Sequence, residues 1–192
     1  MGKLYMVYFS ADGTTKQVME AIADSLPPME RTVVDLLRNP LTQELCLERE
    51  DLLLLGMPVY AGVIPEHCLS MLKYLKGKGG PAILAAVYGN RDYDDALLQM
   101  RDLTTEAGFQ PIAAGAFVAQ HSIFPKVGAG RPDQKDLEWI QEFSKTCSDL
   151  LKQPIDCLLY TSQSGVLTGE KGISDLGEAC FLHRQKTYFM IE

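Results

Sequence analysis

The chain has no CxxC pair: its five cysteines, Cys46, Cys68, Cys147, Cys157 and Cys180, are widely spaced and odd in number. A complete disulfide framework is therefore excluded, and reduced thiols in a cytosolic setting are the expected state. The same spacing rules out a four-iron cluster motif, which needs closely grouped thiolates. No apolar stretch approaches the roughly 18 residues of a membrane span. The amino end, Met1 to Tyr8, carries one charge and a short apolar run without a small-residue cleavage pattern, so it reads as a first buried strand. Basic clusters are missing too. With 18 Lys and Arg against 25 Asp and Glu the net charge is −7, and a nucleic-acid surface is not expected. An acidic surface suits a soluble, cytoplasmic protein and can steer it towards basic partners.

What is present alternates between short β-like runs and longer helical ones. The strands are expected at Lys3 to Phe9, Arg31 to Leu36, Asp51 to Gly56, Pro81 to Tyr88 and Pro111 to Ala119. Asp51-Leu52-Leu53-Leu54-Leu55-Gly56 is a run of consecutive aliphatics, the pattern of a central parallel strand covered on both faces. Helices are expected from Thr15 to Leu26, from Pro65 to about Leu75, from Tyr93 to Ala107, and from about Asp133 to Lys152. Pro27-Pro28, Gly77 to Gly80, and Gly108 stop the first three. Residues 37 to 50 read as a connector with one short helix at most. Five strands alternating with helices predict an α/β fold, a doubly wound, open parallel sheet with helices on both faces. The 192 residues suit one domain, 1–152, followed by an extension, 153–192, that the core does not need. Within that extension the pattern loses its period, and short strands or a small helix near Ile173 to Ala179 are the most it suggests.

One stretch organises the chemistry. The first strand stops at Ser10-Ala11-Asp12-Gly13-Thr14-Thr15, and a helical spacing of Val18, Ile22 and Leu26 follows at once. At such a junction the unpaired N–H groups of the first helical turn and the positive end of the helix dipole meet, which suits a phosphate. Ser10, Thr14 and Thr15 add hydroxyls, and Gly13 allows close backbone approach. Two more loops leave strand carboxyl ends, where open α/β sheets bind ligands. Met57 to Ile64 carries Tyr60 between Pro58 and Gly62, and Gly89 to Tyr93 carries Asn90 beside a glycine. Two tyrosines, Tyr60 and Tyr93, can enclose a flat ring.

These loops resemble the flavodoxin family. Ser10 to Thr15 is similar to its phosphate loop, Ser/Thr-x-Thr-Gly-x-Thr, and Gly56-Met57-Pro58-Val59-Tyr60-Ala61-Gly62 to its second flavin loop. Gly89 to Ala96, and Ala129 to Asp133 after His121-Ser122, resemble flavodoxin domains of bacterial and archaeal flavodoxin–ferredoxin fusion proteins. No ferredoxin part is expected within these residues, because the cysteines are too isolated for its cluster. The likeness spans roughly residues 3 to 152 and implies a five-stranded sheet in the order 2-1-3-4-5 with FMN as cofactor. It also implies electron transfer to or from a redox partner protein, with a ferredoxin type among the candidates. By position, Ser10, Asp12, Gly13, Thr14 and Thr15 would meet the phosphate. Pro58, Val59, Tyr60 and Gly62 would line one side of the ring, and Gly89, Asn90, Arg91 and Tyr93 the other. Asp12 departs from the pattern, placing a carboxylate where the family has a threonine hydroxyl, and such a group repels a phosphate dianion unless it turns outward.

Other readings stand beside this one. A flavodoxin-fold interaction module without cofactor would account for Asp12 and the extension, and an FMN-dependent NAD(P)H:quinone-type reductase would use the same loops, although no residue marks a nicotinamide site. Asp92, Asp94 and Asp95 could supply an acidic field that disfavours a reduced, anionic flavin, but a solvated helix N-terminus explains them more simply. The loop from His121 to Pro132, with Ser122, Phe124, Lys126 and Arg131, reads either as a gate beside the flavin or, preferably, as a long surface connection. His121 with Ser122 lacks the strained turn and third residue of a hydrolase. No catalytic or metal-ligating residue is assigned.

Overall fold

A computed structural model describes residues 2–153 and the backbone of two further strands, Cys180–His183 and Lys186–Met190. The sequence feature that fixes the centre is the aliphatic run. It forms the strand Leu52–Pro58 (β4, after β1 at Leu4–Tyr8, β2 at Arg31–Asp35 and β3 at Leu45–Leu47), and all seven of its residues are buried. Because successive side chains of a strand point to opposite faces, the run feeds two cores at once. Leu52 and Leu54 pack with Val18, Met19 and Ile22 of helix α1 (Thr14–Ser25) and with Ile140 and Phe143 of helix α4 (Gln134–Leu150). Leu53, Leu55 and Met57 pack with Cys68 and Leu72 of α2 (Glu66–Leu72) and with Leu97 and Met100 of α3 (Ala96–Glu106). Each fully buried leucine contributes about 1.5–3 kcal/mol.

The remaining strands are β5 (Leu75–Gly77), β6 (Pro81–Tyr88), β7 (Gln110–Val118), β8 (Cys180–His183) and β9 (Lys186–Met190). The main sheet runs β2-β1-β4-β6-β7-β9-β8. Its first five strands are parallel throughout, which is the expected doubly wound order 2-1-3-4-5 when only those five are counted. Strand order reverses beside β1, so the loops after β1 and β4 diverge and leave a crevice between them.

Several expectations are corrected. Residues 37–50 contain no helix; Leu45–Leu47 instead pairs in parallel with Leu75–Gly77 as a separate two-stranded sheet. That pairing also ends the second helix early, at Leu72. The third helix begins at Ala96 rather than Tyr93. Asp92 Oδ1 accepts hydrogen bonds from the N–H groups of Tyr93 (2.8 Å) and Asp94 (3.3 Å), holding the chain in a side-chain turn that a helix cannot include. Two strands from the extension join the sheet: β9 pairs antiparallel with β7, and β8 with β9, covering an edge that a five-stranded sheet leaves unpaired. The suggested element at Ile173 to Ala179 lies outside the described residues.

Candidate functional site

The parallel strands deliver four loops to one edge of the sheet, and their tips enclose a cleft of about 240 Å³. After β1 the chain turns at Gly13, whose φ of +94° is costly for any residue with a Cβ, and α1 starts at the next residue. A Cβ at Gly13 would meet nothing within 4 Å, so the space above the turn is open. Ser10 and Thr15 are buried beneath it. The Ser10 hydroxyl accepts the Lys16 N–H at 3.1 Å and keeps its own proton for donation. The absence of a side chain at Gly56 leaves the room that the Met19 side chain of α1 fills.

After β4, Tyr60 and Val63 exchange backbone hydrogen bonds (2.8 and 3.2 Å) around Ala61 and Gly62, which have φ values of +52° and +86°. This is the geometry of a tight hairpin turn with two left-handed residues, and it props Tyr60 at the cleft. Tyr60 is 41% exposed and shares the cleft wall with Ser122 from the loop after β7. Burial pushes the Tyr60 phenol above its ordinary value, and the nearby Asp12 charge pushes the same way, with the neighbouring Ser122 hydroxyl opposing them more weakly.

The cleft gathers Asp12, Thr14, Thr15, Pro58, Val59, Tyr60 and Gly89 from the three loops singled out in the sequence. The other named residues stand around it. Ser10 and Gly13 underlie the first loop, and Gly62 serves the turn behind Tyr60. Asn90 has a left-handed φ of +60°, and Arg91 reaches Asp94 at 3.3 Å. Tyr93 packs edge-on to Tyr88, with ring centroids 5.7 Å apart. None of Asn90, Arg91 and Tyr93 is in the cleft wall. Asp92 and Asp94 order the turn before α3, and Asp95 takes the N-cap position.

The wall that the sequence reading treated as a surface connection comes from Ala119 to Phe124. Gln120 N–H bonds Arg131 O and His121 N–H bonds Val127 O, both at 3.0 Å, so the loop folds back on itself instead of running past the site. His121 Nδ1 accepts the N–H groups of Ile123 (3.1 Å) and Phe124 (3.3 Å), which places the proton of the neutral ring on Nε2. The ring lies against Gly89, where a Cβ would come within 2.7 Å of His121 Cδ2. Ile123 and Phe124 are 74% and 61% exposed, an apolar lip at the mouth of the cleft.

The base of this loop is pinned by charge. Arg131 donates through two nitrogens to both oxygens of Asp136, Nε at 2.7 Å from Oδ2, and Asp136 also accepts the Asp133 N–H at 2.8 Å. Asp133 in turn caps α4 in a reciprocal capping box. Burial alone would raise the Asp136 carboxyl; the Arg131 and Asp133 hydrogen bonds outweigh it and hold the group below its ordinary value of 3.8. A depressed folded-state carboxyl stabilises fully above the unfolded value and loses that contribution as pH falls through the folded one. Acid titration followed by circular dichroism should therefore show the wild type losing stability more steeply than Asp136→Asn below pH 3.8, although the variant is less stable at neutral pH by about 2 kcal/mol, the scale of a hydrogen bond to a charged group.

No family model matches the chain, and no curated protein matches it by sequence. Solved structures do match. A flavodoxin from the domain Archaea superposes with a TM-score of 0.55 at 14% identity, covering 79% of this chain and 99% of that one. Oxidised flavodoxin 1 from Bacillus cereus gives 0.59 at 18%, with coverages of 80% and 99%. The fold is flavodoxin-like. The rubredoxin oxygen:oxidoreductase of Desulfovibrio gigas contains the same flavodoxin-like unit as part of a longer chain: 79% of this chain matches 36% of that one at a TM-score of 0.50 and 15% identity. No helix among the described residues is long and apolar enough to cross a membrane, and no group of three or more potential metal ligands occurs among them.

Proposed function

We propose that this flavodoxin-like chain binds FMN and passes electrons between protein partners. The observation that carries the reading is the convergence of the loops after β1, β4 and β6 on one cleft at the order-reversal point of the sheet. The residues present fit a flavin. Tyr60 offers an aromatic face, Pro58, Val59 and Ala61 an apolar wall, Gly89 a close backbone, and Thr15 a hydroxyl beside an open turn. Flavodoxins among the structural neighbours support the same cofactor class.

The bound flavin supplies the redox chemistry, and the chain holds and orients it. Tyr60 lines the cleft and would offer the face against which the ring packs. The exposed lip of Ile123 and Phe124 at the mouth of the cleft offers an apolar contact for a redox partner. With a net charge of −7, a partner of basic surface is favoured. Titration of the purified chain with FMN tests the reading: saturable uptake supports it, and no uptake refutes it.

A further inference from the structure

The corner of the cleft that would receive a phosphate already holds a negative charge. Asp12 Oδ1 accepts hydrogen bonds from the Thr14 N–H at 3.3 Å and from the Thr14 hydroxyl at 2.9 Å. Those are two of the donors that the first turn of α1 offers to an anion. A third donor, the Lys16 N–H, is engaged by Ser10. Asp12 itself lines the cleft and is exposed, so its charge is presented to a ligand instead of being buried away from it. The one cation of the same turn does not offset it, because Lys16 Nζ lies 3.6 Å from Glu20 on the outer face of α1.

A phosphate ester entering this corner must displace Asp12 from Thr14 and then sit beside it. Both steps oppose a dianion and neither touches an uncharged ribityl chain. We propose that Asp12 is a specificity-determining residue that cancels the benefit of the phosphate, so that the cleft takes the flavin through its ring and accepts riboflavin about as well as FMN. This rests on the flavin reading above. Two substitutions separate its parts: Asp12→Asn keeps an oxygen acceptor for Thr14 and removes the charge, whereas Asp12→Thr supplies a hydroxyl and frees the Thr14 donors.

Fluorescence titration of the wild type and both variants with FMN and with riboflavin tests this. The wild type should hold the two ligands with dissociation constants within about threefold of each other. In both variants FMN should tighten by at least about tenfold relative to riboflavin, with riboflavin itself moving by less than about twofold. Inorganic phosphate should compete with FMN in the variants and leave riboflavin binding unchanged. A wild type that prefers FMN by about a hundredfold or more, with a ratio indifferent to residue 12, overturns the inference while leaving the flavin reading intact. Binding of neither flavin to any of the three proteins overturns both.

Discussion

Leu54→Ala should lower the free energy of unfolding by about 4 kcal/mol, within the range found for leucine truncation in tightly packed cores. Leu54 is fully buried at the middle of β4, paired with Met6 of β1 on one side and Ile83 of β6 on the other. Its side chain faces the core shared with α1 and α4. Strands on both sides fix the backbone, so the sheet cannot close over the lost methyl groups, and a cavity term adds to the transfer term. Leu37→Ala is the control. Leu37 is 50% exposed, and its truncation should change stability by no more than about 0.5 kcal/mol. Urea denaturation of the two variants beside the wild type checks both values, and a Leu54→Ala loss below about 1 kcal/mol would mean that β4 is not the sheet's covered centre.

Tyr60→Ala should weaken flavin binding by about 10- to 100-fold, the range that loss of a stacking aromatic gives for a planar ring. The side chain is 41% exposed, so its removal should leave the fold intact. Tyr60→Phe keeps the face and loses only the hydroxyl, and its effect should stay within about fivefold. Equal losses in the two variants would assign the role to the hydroxyl and not to the ring. Affinity unchanged in both would remove Tyr60 from the site.

How far the sequence discloses this molecule depends on whether the signal is local. The Leu52 to Leu55 run announces a strand buried on both faces without reference to anything else, and the strands and helices around it follow from similar local patterns. Three-residue strands do not. Leu45–Leu47 and Leu75–Gly77 have no period to read, and they exist because each finds the other across thirty residues. The start of α3 is a similar case, since Asp92 competes for the N–H groups of Tyr93 and Asp94 that a helix beginning at Tyr93 would otherwise leave to solvent.

The cleft divides along the same line. Loops that leave the carboxyl ends of β1, β4 and β6 carry recognisable turns, so Asp12, Thr14, Thr15, Pro58, Val59, Tyr60 and Gly89 are found in the sequence before the structure brings them together. Ala119 to Phe124 reach the cleft because Gln120 and His121 bond back to Arg131 and Val127, and a foldback of that kind leaves no periodic trace. One signal was available: His121-Ser122 directly after a strand, followed by a segment rich in glycine. Ser122 lines the same cleft as Tyr60, which sets the fourth loop beside the second.

Asp12 ties sequence and structure most closely. As a letter in a phosphate-loop pattern it was an anomaly, and in the structure it is a carboxylate already bound to the donors of Thr14. Whether the surrounding cleft is a flavin site at all is decided by one measurement, fluorescence titration of the purified protein against FMN. The account predicts saturable quenching with one flavin per chain. Flavin fluorescence that stays unchanged up to a large excess of protein would contradict it.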